Sequence, residues 1–188
     1  MNASDKPLFE HQKDSIQFVL PRDRTFDMSD PGTGKTRTAI EVFAHRRLHG
    51  AGCCLILAPK SLLRSAWEED FTRFAPQLVV SVAFADNREA AFADNADVYV
   101  TNVDAAKWLA KQPPSFWKRF QNGMLILDES TAFKHHTSAR SKALGKIKLD
   151  IEEQTPVFDP YEAMKPGAPL VRPEGNVFQF DSGATRKI

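Results

Sequence analysis

The chain has 188 residues, of which 42% are hydrophobic and 26% charged, and its formal net charge is +1. That length fits one α/β domain with an appendage. The absence of any run of about 18 apolar residues excludes a membrane-spanning helix. An N-terminus without a basic start and apolar core predicts a cytoplasmic chain. The 25 basic residues nearly balance the 24 acidic ones, and residues 148–188 hold 5 and 7 of these. Residues 1–147 are therefore weakly basic, and any grip on a polyanion must come from local placement rather than a whole-molecule field.

In chain order, residues 8–20 (LFEHQKDSIQFVL) predict an opening helix stopped by Pro21. RTFDM reads as a short strand leading into SDPGTGKT, and 36–48 as a helix free of Gly and Pro. The run CCLILA is a buried strand broken by Pro59. Leu63, Trp67, Phe71 and Phe74 then recur at helical spacing. VVSVAF, ADVYVT and MLILD supply three further strands, separated by helices near 87–92 and 103–111, and 138–147 is a last helix. Strands alternating with helices predict an α/β fold with a mostly parallel sheet. Beyond about Leu149 the character changes. Five of the 12 prolines fall in 148–188, where no clear period is visible. The reading is a lobe over 1–147 and an irregular, Pro-rich C-terminal arm over 148–188.

The adjacent Cys53 and Cys54 lie in an apolar run where side chains alternate between faces, so they read as packed core thiols. A vicinal disulfide, the alternative, is strained. His135 and His136 read as a solvated loop, because adjacent side chains point apart and no carboxylate partner is evident. Trp108, Phe116, Trp117 and Phe120 around Pro113-Pro114 read as core and turn packing.

Gly32-Thr33-Gly34-Lys35-Thr36 sits between a strand and a helix, the setting of a phosphate-binding loop. Glycines let successive backbone N–H groups turn inward around phosphate oxygens, and the helix N-terminus favours negative charge. Lys35 would reach the β- and γ-phosphates of ATP, and the Thr36 hydroxyl would ligate Mg²⁺. The full pattern asks for glycine where this chain has Ser29. The strand Met124–Asp128 would place Asp128 at its carboxyl end to hold Mg²⁺ through water, with Glu129 polarising the attacking water. Gln12 could bond both donor and acceptor edges of adenine. Its other reading is a surface glutamine.

HQKDSIQFVL, SDPGTGKTRTAIE, LILAPKSLLRSAWEEDFTRF, VYVTNVDAAKW and LILDESTAFKHHTSARSKAL occur in that order. Together they resemble the Q motif and motifs I, Ia, Ib and II of superfamily 2 helicases, specifically the Swi/Snf-type DNA translocases, in the form of phage and bacterial members. The resemblance spans about residues 8–147. It implies a RecA-like P-loop NTPase lobe working in the cytoplasm of a bacterial or phage-infected cell. It also implies duplex DNA as the partner, gripped by its backbone and not read for sequence. The strand would cross Lys60, Ser61, Thr101 and Asn102, with Lys134 and Ser138 near the motif II loop. Trp67 matches the family's tryptophan, with packing rather than base stacking as its expected job. Taken singly, Lys60 and Thr101 read equally as strand-to-helix capping.

Two departures bear on function. After Ile147 the family continues into a strand ending in a Thr-Gly-Thr-Pro-like motif III, whereas KLDIEEQTPVFDP follows here. A second RecA-like lobe, with its arginine for the ATP site, is also not found. The leading expectation is an ATP-binding lobe of a DNA-dependent ATPase or translocase without the second lobe of a complete motor: a fragment, a natural truncation, or a subunit that borrows that lobe. The rivals are a non-catalytic lobe that occupies DNA, nucleotide or a partner motor, and a distinct P-loop NTPase or kinase.

Overall fold

The computed structural model describes residues 7–128, 139–147 and 177–180. The expected elements are found with shifts of a few residues. Helix α1 spans Glu10–Val19, strand β1 Arg24–Asp27, helix α2 Lys35–Leu48 and strand β2 Cys54–Ala58. A π-helical turn over Leu63–Glu68 runs into α3, Glu69–Phe74. Strand β3 is Val80–Ala83, α4 Arg88–Ala93 and β4 Val98–Asn102. The short helices α5 (Ala106–Leu109) and α6 (Pro114–Trp117) precede β5, Met124–Asp128, and α7 is Ala139–Leu144.

Two elements have no counterpart among the expected ones, the short helix α6 and a strand. Val177–Phe180 forms a sixth strand, β6, inside the segment that reads as an irregular arm. All strands are parallel, in the order β1-β6-β5-β2-β4-β3. The last of the described strands is thus an interior one, hydrogen-bonded to β1 and β5. Four residues, Val-Phe-Gln-Phe, are too few to show a period against the proline-rich background around them.

The two faces of the sheet build two cores. Cys54, Ile56 and Ala58 of β2, with Val98, Val100, Met124 and Ile126, pack against Ile40, Val42 and Phe43 of α2 and against Leu63, Trp67 and Phe71. Leu55 and Leu57, with Tyr99, Leu125 and Leu127, face Phe92, Leu109, Trp117 and Phe120. Every residue of β2 is buried, because helices cover both faces of a parallel sheet. The adjacent thiols divide between the faces, both buried and free. Burial pushes both thiols up, Cys54 well above its ordinary value. The aromatic residues near Pro113 pack as expected. Trp117 and Phe120 lie 5.7 Å apart, and Trp108 and Phe116 5.8 Å.

Candidate nucleotide and nucleic-acid site

Parallel strands all end on one side of the sheet, so the segments that follow them converge there. Register makes this concrete. Asp27, the last residue of β1, pairs with Phe180, which pairs on its other side with Asp128, the last residue of β5. Leu57 of β2 pairs with Leu127, and Ala58 with Asn102. The phosphate-type loop after β1, Asp128, Lys60 after β2 and Asn102 at the end of β4 therefore line one edge.

The loop between β1 and α2 is braced by its own side chains. Asp27 Oδ1 accepts from the Ser29 backbone N–H at 2.9 Å and from its hydroxyl at 2.6 Å. The Ser29 and Thr33 hydroxyls are 3.1 Å apart, and Thr33 Oγ1 donates to the Asp30 carbonyl at 2.8 Å. Ser29, standing where the full pattern has glycine, thus ties the loop's entrance to its apex. Gly32 and Gly34 have φ of +82° and +81°, which other residues adopt only at a cost. Helix α2 starts directly at Lys35 and runs 14 residues. Lys35 Nζ donates to the Ser29 carbonyl at 2.5 Å, so the ammonium lies over the loop. Thr36 follows it in the first turn, partly buried.

Helix α1 straps the loop from outside. Gln12 is only 3% exposed. Its Oε1 accepts from the Phe9 N–H at 3.0 Å, capping α1, and its Nε2 donates to the Gly34 carbonyl at 3.2 Å. His11 Nε2 is 2.9 Å from the Thr33 carbonyl, and its ring stacks on Phe9. The alternative reading of Gln12 as a surface residue is corrected by its burial. An adenine edge would have to compete with two internal hydrogen bonds for the same amide.

At the end of β5, the Trp67 indole N–H donates to Asp128 Oδ2 at 2.9 Å. Trp67 is fully buried, as its expected packing role requires. Thr36 and Asp128 offer hydroxyl and carboxylate oxygens, the hard donors that Mg²⁺ takes, and Mg²⁺ keeps water and phosphate oxygens for the rest of its coordination. The donor chemistry at this edge therefore fits the ion. Among the described residues no group of three His, Cys, Asp or Glu stands together. Glu129, Lys134, Ser138, His135 and His136 lie outside the described residues.

The residues expected along a nucleic-acid strand separate into two kinds. Lys60 and Ser61 are exposed, and Asn102 is half-buried. Thr101 is buried at 0% exposure, its hydroxyl donating to the Ala83 carbonyl at 2.8 Å. Its side chain joins β4 to β3 instead of facing outward. A further residue reaches this edge. Arg88, the first of α4, donates from Nη2 to Asn102 Oδ1 at 3.0 Å, bringing a guanidinium to the amide at the end of β4. Nothing in the local sequence of Arg88 sets it apart from other surface arginines; only the crossover from β3 to β4 brings it there.

The SNF2-related domain model matches residues 11–153. Among solved structures, the Sulfolobus solfataricus SWI2/SNF2 ATPase core in complex with dsDNA is similar with a TM-score of 0.67 at 18% identity, over 97% of this chain and 33% of that one. The UvsW helicase from bacteriophage T4 is similar in two structures, with TM-scores of 0.58 and 0.62 at 15% and 16% identity. These cover 93% and 96% of this chain, and 60% and 31% of theirs. The chain thus spans between 31% and 60% of the length of the structures it resembles.

Proposed function

The chain belongs to the SNF2-related domain family, as an N-terminal RecA-like lobe, and we propose that it binds Mg²⁺-ATP at the carboxyl edge of its sheet and uses it in a DNA-dependent ATPase. One observation carries this reading: the register that sets the loop-bearing end of β1 and the Asp128 end of β5 at one level, on either side of Phe180. In the proposed complex Lys35 leaves the Ser29 carbonyl and takes up phosphate oxygens, exchanging a neutral acceptor for a charged one. The N–H groups of the loop and of the first turn of α2 supply the remaining donors. Thr36, and Asp128 through water, would hold Mg²⁺, which would neutralise charge on the phosphates. Glu129 orients water for attack on the γ-phosphate. Gln12 and His11 hold the loop's carbonyls in place from α1.

The DNA part of the proposal rests on Lys60, Ser61 and Asn102 at the same edge. Such contacts address the phosphate backbone and carry no sequence information. A full motor needs an arginine from a second lobe, worth about 10³-fold or more in turnover. This lobe alone should then turn ATP over slowly or not at all. Calorimetry with Mg²⁺-ATP tests the core of the reading. Binding should be measurable and should fall at least about tenfold in Lys35→Ala, which removes a charged hydrogen bond. Equal binding by wild type and variant defeats it. ATPase rates with and without duplex DNA then separate a working lobe from one that only occupies its ligands.

A further inference from the structure

Trp67 does more than fill the core. Its indole is fully buried between α2 and the sheet, 6.3 Å from the Phe71 ring. It lies in the one π-helical turn among the described residues, Leu63–Glu68. An extra residue per turn rotates the side chains that follow, and single π turns of this kind recur at functional sites. Here the turn leaves Trp67 with its ring in the core and its N–H on Asp128 Oδ2, 2.9 Å away. An indole N–H can only donate, so it holds a carboxylate oxygen and cannot compete for a cation. A hydrogen bond to an ionised acceptor in a half-buried setting is among the stronger kinds.

We infer that Trp67 is a positioning residue for the metal-binding carboxylate: its N–H fixes the rotation of the Asp128 carboxyl group, so that the group is ordered before Mg²⁺-nucleotide arrives. This rests on the proposed nucleotide function and deepens it. Partners that orient a metal ligand typically contribute about 10–100-fold in metal affinity. The π turn ties the effect to the segment carrying Lys60 and Ser61, because the strand-to-helix connection after β2 holds both the exposed lysine and the buried indole. Any shift of that segment when a strand binds would be felt at Asp128 through this hydrogen bond.

The test is the Mg²⁺ requirement of nucleotide binding by the full chain, measured with fluorescent ATP at increasing Mg²⁺ and again in EDTA. Trp67→Phe keeps an aromatic ring and removes the N–H. It should raise the Mg²⁺ concentration for half-maximal binding about tenfold, with binding in EDTA unchanged. In an Asp128→Asn background the same change should have no further effect. A packing role would lower melting temperature but leave the Mg²⁺ requirement where it was, and that result overturns the inference. Should Trp67→Phe fail to fold, benzothienylalanine at position 67, with sulfur in place of N–H at nearly equal volume, gives the same comparison. Wild-type chain that binds no nucleotide under any condition defeats the functional reading as well. Normal wild-type binding with an unaltered variant defeats this inference alone.

Discussion

Gln12 and Gly34 are in direct contact: the Gln12 amide nitrogen donates to the Gly34 carbonyl at 3.2 Å, and a Cβ on Gly34 would stand 2.3 Å from that nitrogen. The first helix therefore presses on the loop between β1 and α2 at Gly34, the residue just before α2. Gly34 is needed twice, once for its φ of +81° and once for the room its missing side chain leaves.

Gly34→Ala should accordingly cost about 2 kcal/mol in stability through strain and displaced Gln12, and should weaken nucleotide binding. Adding Gln12→Ala removes the clash but not the backbone strain, so the double variant should recover only part of the loss. Gly32 has the same sign of φ, but nothing lies within 4 Å of the place its Cβ would take. Gly32→Ala should cost only the left-handed backbone strain, about 1 kcal/mol. Urea unfolding of these variants checks the ordering, and an equal cost at both glycines would refute it.

How far the sequence foretells this arrangement depends on the range of the forces involved. The places of Lys35 and Thr36 at the start of α2 and of Asp128 at the end of β5 are legible because strand–loop–helix and strand-end patterns are local. The alternation that splits Cys53 from Cys54 between two cores is legible for the same reason. Thr101 reads as an outward contact but is not one, because whether a strand-end hydroxyl faces solvent or a neighbouring carbonyl depends on β3, which joins the sheet through a separate crossover. The contacts of Trp67 with Asp128 and of Arg88 with Asn102 join residues far apart in sequence, and neither partner's own neighbourhood hints at the other. Strand β6 is invisible in the sequence because its place between β1 and β5 is a fact of pairing, not of its own four residues.

Away from the carboxyl edge of the sheet, Asp97 joins three segments. Its Oδ1 accepts from Arg47 Nε and Nη2 at 3.0 and 2.8 Å, and its Oδ2 accepts from the Val79 N–H at 2.9 Å. Arg47 also donates from Nη1 to the Ala51 carbonyl at 2.6 Å. The pair is partly exposed, at 35% and 22%, and an isolated surface pair of that kind contributes about 1 kcal/mol or less. The backbone donor raises the stake. Asp97→Ala should destabilise by about 2 kcal/mol, since it leaves the Val79 N–H unmade as well. Arg47→Ala should cost less, because the Val79 bond survives. Denaturant unfolding should rank them so. Both variants lose the ion pair, so a larger loss in Arg47→Ala would mean that the Arg47 bond to the Ala51 carbonyl outweighs the Val79 link.

The last expectation concerns DNA, where few phosphate contacts are on offer. Lys60 is exposed just past β2, and Arg88 and Asn102 stand together at the end of β4. With a net charge of +1 no global attraction assists them. Binding of the full chain to duplex DNA should be weak, indifferent to sequence, and linear in log K against log salt, with a slope of about −0.9 for each phosphate engaged. Lys60→Ala should weaken all sequences alike and make that slope shallower by about one. Thr101→Val should leave the slope unchanged while costing about 1 kcal/mol in stability, because its hydroxyl is committed to the Ala83 carbonyl. Fluorescence anisotropy across a salt series measures the slopes, and urea unfolding the stability. A slope left unchanged in Lys60→Ala would place the DNA elsewhere on the lobe, whereas a slope that changes in Thr101→Val would show that the contacts at the end of β4 depend on how β4 is held.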